Sequence, residues 1–341
     1  MNDNGLLGVF PDMPNETYHA DAAIGSSGLK RFLVSPLHYW AAYLDPERES
    51  RDKKHFRIGR AWHCAVFEPE AFGNRYATNH DVHPATTKAK LLADCLAEGD
   101  RFTAMRGIPD DIKLSTKEGK ALAAEIEAAG GTAVQQSDLD FITEWMPKLS
   151  GRDVLSGDNI AAVQKMATIA RALPISRVVF EQLAEHSMTE VSFFTVDPTT
   201  GVRLKIRPDY MLKPCPMFPN GLIIDGKSTT DASREGFARQ VWNLDYGLQA
   251  SFYTSVFQSI FDTDGRPAFL WLAQEKETPH AAAYYSAGAD LIAYWDKRIA
   301  QTLPAIASCQ ETAVWPGFPE TVTELALPAW AEKQVADAAA A

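Results

Sequence analysis

Three side chains on two neighbouring segments could carry out hydrolytic chemistry. In VRLKIRPDYML (202–212) the residues alternate as in a β-strand, so Arg203, Lys205, Arg207 and Asp209 share one face. Val202, Leu204 and Ile206 share the other, which should face the core. Pro208 removes a backbone donor and predicts a bulge or strand end beside Asp209. The next segment, LIIDGKS, puts Asp225 and Lys227 on one face with Ile223, and Leu222 and Ile224 on the opposite one. Paired as a hairpin, the two strands bring Asp209 and Asp225 together. Two carboxylates beside an ammonium suit a hard cation such as magnesium, which takes oxygen ligands and retains waters and phosphates. The lysine can orient or deprotonate a water on that cation. This is the chemistry of phosphodiester hydrolysis. Taken alone, Asp225 and Lys227 also fit an exposed cross-strand ion pair.

Asp209 followed by Asp225-Gly226-Lys227 on consecutive strands resembles the PD-(D/E)XK nuclease signature, written here as RPD (207–209) and DGK (225–227). GRAWH (59–63) resembles the upstream G-x-x-x-H of the RecB- and RecE-type branch, and QASFY (249–253) resembles its Q-x-x-x-Y helix motif. Gln249 and Tyr253 are four apart and share one helix face. SSGLKRFLVSPLHYW, KSTTDAS and LPAWAEK extend the resemblance to the RecE-type (exonuclease VIII) C-terminal nuclease domain over residues 16–333.

The resemblance implies an α/β fold with a restriction-endonuclease-like core: a mixed central sheet flanked by helices, with a helical N-terminal region and a helical insertion. It implies Asp209 and Asp225 as catalytic, metal-binding carboxylates and the Gly226 carbonyl as a further ligand. His63 would add an imidazole ligand, and Lys227 would handle the attacking water. Gln249 and Tyr253 would line the site. Glu190 matches an acidic position of some members, and a solvated strand start is its other reading. The implied cofactor is Mg2+, with Mn2+ as a substitute. The implied substrate is a double-stranded DNA end, digested 5′ to 3′ by a ring-like homo-oligomer. The exposed strand would pass to a RecT-like single-strand annealing protein in phage-type recombination, in the cytoplasm of a bacterial or phage-infected cell. Some relatives hold an iron–sulfur cluster on four cysteines. Cys64, Cys95, Cys215 and Cys309 lack that spacing, so no cluster is expected.

Three groups of residues could contact DNA. The Arg203, Lys205 and Arg207 face could neutralise phosphates beside the scissile bond, or could bridge to the acidic surplus elsewhere. The basic run RDKKHFRIGR (51–60) brings Arg57 and Arg60 just ahead of His63, as a phosphate contact or a solvated face. Ser228 and Thr229 follow the lysine. An endonuclease, a nuclease of opposite polarity and a non-catalytic DNA-binding or phage assembly module are the competing functions.

The elements that must position these residues are readable from periodicity and punctuation. Residues 1–18 read as an extended lead-in, and 334–341 as a disordered tail. The span 19–333 reads as one nuclease domain, mainly helical over 19–175, with the catalytic sheet and helices over 189–290 and a C-terminal part over 291–333. Ser26 or Ser27 can cap a helix that stops before Pro36, where a second helix starts. AWHCAVFEPEAF is helix-like to about Pro69. Residues 77–150 read as mostly helical, through KAKLLADCLAEG, STKEGKALAAEIEAAGG with a Gly130–Gly131 cap, and SDLDFITEWMPKL with Ser137 as N-cap. His80 and His83 fall in a loop there with no assigned chemistry. AAVQKMATIARAL (161–173) is a further amphipathic helix. TEVSFFTV, VRLKIRPDYML and GLIIDGKST predict a three-stranded meander. Two helices around 231–242 and 245–261, strands at 267–274 and 281–287, and a late helix in DLIAYWDKRIAQTLPAI complete the chain.

The 341 residues are 46% apolar, enough for a substantial core. With 33 basic and 44 acidic residues the formal charge is −11. That excludes binding a polyanion through the net field, though not through a local basic groove. The cysteines form no C-x-x-C pair and read as free thiols of a reducing cytosol. No signal sequence and no uninterrupted apolar run of spanning length is present.

Overall fold

The computed structural model describes residues 6–48, 57–78, 104–149, 152–327 and 331–332. The chain begins with β1 (Gly8–Phe10) and α1 (Asn15–Ala20), followed by α2 (Ser26–Val34) and α3 (Pro36–Tyr43). α4 (Arg57–Phe67), α5 (Pro69–Arg75) and β2 (Tyr76–Thr78) come next. Then come β3 (Met105–Ile108), α6 (Lys117–Ala128), β4 (Thr132–Gln135), α7 (Gln136–Leu149), β5 (Asp153–Leu155) and α8 (Gly157–Ala172). The C-terminal half holds β6 (Ser187–Thr189), β7 (Ser192–Val196), β8 (Arg203–Ile206), β9 (Tyr210–Leu212) and β10 (Leu222–Thr229). α9 (Arg234–Asn243), α10 (Tyr246–Phe261), β11 (Ala268–Glu275), β12 (Ala282–Ser286) and α11 (Ala289–Thr312) complete it.

The central sheet has the order β12-β11-β10-β9-β6. β10 and β11 run parallel, and the other pairs are antiparallel, so the sheet is mixed. β10 sits in its middle. Leu222, Ile223 and Ile224 are all buried there, as expected of a strand covered on both faces. Ile223, Phe269 and Trp271 pack with Leu248, Phe252 and Val256 of α10 on one face. Leu222, Ile224 and Leu272 pack with Trp62 and Phe67 of α4 and Val163 and Met166 of α8 on the other. α10 is buried over most of its circumference, small polar residues such as Ser251 and Thr254 included.

The expected meander is present but divided between two sheets. β7 and β8 pair within a separate sheet of order β1-β7-β8, while β6 and β9 join the central one. One register runs through both pairings, with Thr189 opposite Tyr210 and Phe193 opposite Ile206. The ladder is open between them. Pro208 has no N–H to donate, and Glu190 takes φ 53°, a left-handed conformation rare outside glycine. The same register puts Glu190 across from Asp209 at this opening.

Other elements depart from the sequence reading. The lead-in contains β1, which pairs with β7, and the start of α1 rather than plain extended chain. Gly25, not Ser26 or Ser27, is the N-cap of α2, while Ser35 caps α3 by accepting from the His38 N–H. Ser137 lies inside α7. The region read as mostly helical also holds parallel pairs β3/β4 and β2/β5, strands of three or four residues that are too short to show a period. KAKLLADCLAEG, His80, His83 and Cys95 lie outside the described residues. Cys64, Cys215 and Cys309 are buried free thiols.

Candidate active site

β10 presents its functional groups to both faces of the sheet. Asp225 is 1% exposed on the α10 side. Its Oδ1 accepts from Gln249 Nε2 at 2.6 Å, and its Oδ2 forms an ion pair with Lys227. Lys227 Nζ also donates to Gln249 Oε1 at 3.1 Å and lies 4.7 Å from the centre of the Tyr246 ring. The amide of Gln249 thus holds carboxylate and ammonium in register, one group to each end. Tyr246 and Gln249 are three apart on α10, on one helix face.

Gly226 turns the other way. Its N–H donates to Asp209 Oδ2 at 2.7 Å. A Cβ on Gly226 would lie 2.8 Å from Phe67 Cε2 and 3.0 Å from Trp62 Cζ3, so the middle residue of D-G-K is glycine because α4 presses on it. Trp62 is anchored in turn by its indole N–H, which donates to Gln274 Oε1 at 2.5 Å. Gln274, on β11, is fully buried and donates to the carbonyls of Met166 and His280. This fixed tryptophan aims the next residue, His63, at Asp209, with Nδ1 to Oδ2 3.3 Å apart.

The charges follow from this packing. Burial pushes Asp225 up, and repulsion from Asp209 adds to it against the opposing pull of Lys227. Burial also acts on Asp209, but His63, Lys227 and the Gly226 N–H outweigh it and hold that carboxyl below its usual range. His63 is raised because Asp209 outweighs its burial. Lys227 is raised because Asp225 and Asp209 outweigh its burial. Glu190, facing the opening, is pushed up to about 8 by burial and by Asp209.

Among the described residues, no three His, Cys, Asp or Glu side chains already form a closed metal cage. The donor set nonetheless fits a hard divalent cation. It offers carboxylates, a backbone carbonyl and one imidazole, and the buried Asp225 Oδ2 has no hydrogen bond of regular geometry. Lys227 supplies positive charge beside the carboxylates, and His63 would bind the cation as its neutral imidazole.

The remaining candidates separate into two sets. Tyr253 is buried one turn beyond Gln249, and its hydroxyl donates to the Arg207 carbonyl at 3.3 Å, tying α10 to the segment before Asp209. Arg57 and Arg60 lie on α4, the latter exposed, and Ser228 Oγ is close to Gly59. The β8 cations are engaged elsewhere. Arg203 donates to Asp21 Oδ2 and the Leu6 carbonyl. Lys205 donates to the carbonyls of Tyr18 and Asp21. Arg207 donates to Ser192 Oγ, Asn15 Oδ1 and the Met13 carbonyl, and stacks on Tyr18. They clamp the N-terminal segment onto β8. Thr229 is likewise committed, its hydroxyl donating to Gln240 Oε1 at 2.6 Å and accepting from the Asp231 N–H at the turn into α9.

Two neighbours of the site carry no sequence motif. Tyr246 could have been found by its spacing from Gln249. Lys30, from α2, gives no such signal. Its Nζ donates to the Leu244 carbonyl at 2.7 Å and lies 5.3 Å from the Tyr246 ring centre. Burial and the nearby Lys227 lower it to about 8.

The chain belongs to the family of PDDEXK-like domains of unknown function (DUF3799), whose profile matches residues 140–325. The fold is a PD-(D/E)XK core, and the chain is a member of that nuclease superfamily. The matched span holds every candidate from Glu190 to Tyr253 but not His63. Among solved structures, a protein from Eubacterium rectale provisionally named an exonuclease is 12% identical, with 93% of this chain and 96% of that chain covered at a TM-score of 0.42. Another, SSO0001, is 12% identical over 47% of this chain and 69% of that one, at a TM-score of 0.22. No curated protein matches. No helix among the described residues is long and apolar enough to cross a membrane.

Proposed function

We propose that this chain is a metal-dependent DNA exonuclease that hydrolyses phosphodiester bonds from duplex ends. The observation that carries the reading is the buried Asp225–Lys227–Gln249 cluster joined through the Gly226 N–H to Asp209 and His63. Asp209, Asp225, the Gly226 carbonyl and His63 would hold Mg2+ or Mn2+, with Glu190 across the opening from Asp209. When bound, the cation would supply Lewis acidity at the phosphate. Gln249 keeps the ammonium of Lys227 beside Asp225, where it can orient an attacking water and offset charge developing on the phosphate. Tyr253 holds the backbone that presents Asp209. Arg57, Arg60 and Ser228, near the α4 edge of the site, would contact the DNA backbone.

The resemblance of GRAWH, QASFY and LPAWAEK to the RecE-type domain supports the finer reading. On it, residues 19–333 form one nuclease domain that digests 5′ to 3′ as a ring and hands its product to a single-strand annealing protein in the bacterial or phage-infected cytoplasm. Purified protein should be mixed with linear and covalently closed circular duplex, in magnesium and in EDTA. Degradation of the linear form alone, lost in EDTA, is the expected result. Cutting of circles means an endonuclease, and binding without cutting means a non-catalytic module. End-labelled strands report the polarity.

A further inference from the structure

We propose that Trp242 and Tyr294 form a stacking platform for unpaired nucleotides of the substrate beside the active site. This rests on the nuclease reading and adds a site for single-stranded nucleic acid to it. Trp242 is 56% exposed and Tyr294 40% exposed, although aromatic rings of this size are normally mostly buried. They lie against each other with centroids 5.4 Å apart and planes inclined at 44°. α9 buries Phe237 and Val241 and leaves Trp242 outside. On α11, Trp295 is buried while the preceding Tyr294 faces out. Leu244, 46% exposed, extends the apolar surface.

The platform is continuous with the catalytic cluster through a cationic path. Lys227, paired with Asp225, approaches the Tyr246 ring, and Lys30 approaches the same ring. Lys30 then bonds the carbonyl of Leu244, two residues beyond Trp242. A chain of contacts thus runs from Asp225 through Lys227, the Tyr246 ring and Lys30 to the Leu244 carbonyl. The Asp245 carboxylate nearby offsets part of the ammonium charge. A cationic track that ends in exposed π faces matches the chemistry of a single strand, which offers phosphates along its backbone and bases with both faces free. Within a duplex each base is already stacked on both faces, and only the terminal pair leaves one face open. The unpaired strand left by end digestion, or a frayed end, is the occupant that fits.

The test is binding of a labelled mixed-sequence single-stranded oligonucleotide, by fluorescence anisotropy in EDTA so that nothing is cut. Duplex cleavage in magnesium is measured in parallel. Trp242→Ala should bind the oligonucleotide about 5- to 160-fold more weakly, the scale of one lost base stack. Trp242→Phe should retain most of the affinity. Tyr294→Leu, on a different helix, should weaken binding in the same direction and serves if Trp242→Ala misfolds. Single-strand affinity within twofold of wild type in Trp242→Ala and Tyr294→Leu, with wild type still cutting duplex, overturns the platform and leaves the nuclease reading intact. A wild-type protein that neither cuts duplex nor binds either form overturns both.

Discussion

Replacing Gly226 with alanine perturbs the site through packing alone, since no charged or hydrogen-bonding group is removed. The added methyl would sit 2.8 Å from Phe67 Cε2 and 3.0 and 3.1 Å from Trp62 Cζ3 and Cη2. Neither ring can swing away. Trp62 is fully buried and held by Gln274, and Phe67 is buried against Phe180 and Tyr210. Overpacking of this kind costs about 1–3 kcal/mol. With an unfolding entropy of about 2 cal/mol/K per residue, that cost lowers the melting temperature of a chain this long by about 1.5–4 °C. The strain falls between β10 and α4, the two elements that carry Asp225 and His63. A shift of about 1 Å there can cost on the order of 100-fold in turnover. Thermal melting by circular dichroism and single-turnover cleavage of linear duplex read the two effects. Adding Phe67→Leu removes the closest ring edge and should recover part of both losses. An unchanged melting temperature and unchanged turnover in Gly226→Ala would refute the claim that α4 packing positions this site.

His63→Ala should lower activity and metal affinity, with partial rescue by manganese, which accepts imperfect geometry more readily; wild-type metal dependence would make His63 structural. Lys227→Ala should bind metal and DNA nearly normally yet cleave about 100-fold more slowly or worse, because the water loses its orienting ammonium. A rate within about twofold of wild type would remove Lys227 from the mechanism. Arg207→Ala should lose about 1.5–3 kcal/mol of charged hydrogen bonding, lower the melting temperature and speed proteolysis of the N-terminal segment. Weaker DNA binding with unchanged melting would instead make the β8 cations a phosphate groove.

The parts of the site that were legible in the sequence are those set by local geometry. Strand alternation put Asp225 and Lys227 on one face, and four-residue spacing put Gln249 and Tyr253 on one side of α10. Motif resemblance linked His63 to Asp209, a contact between residues far apart in sequence that no local pattern encodes. The β8 cations could not be assigned from sequence, because their partners Leu6, Met13, Asn15, Tyr18 and Asp21 reach them only through the tertiary fold. The same holds for Thr229, whose hydroxyl caps a turn closed by Gln240. The split of the meander had half a signal: Pro208 predicted an interruption, while the left-handed Glu190 opposite it had none. β2 to β5 were missed because strands of three or four residues present no period.

The central claim is that Asp209 and Asp225 jointly hold the metal that phosphodiester cleavage requires. Calorimetric titration of wild type, Asp209→Asn and Asp225→Asn with manganese, alongside cleavage of linear duplex by the same preparations, tests it most directly. The account predicts that each substitution weakens metal binding and abolishes cleavage while the circular dichroism spectrum stays that of the folded protein. Normal turnover with normal metal affinity in either variant would contradict it.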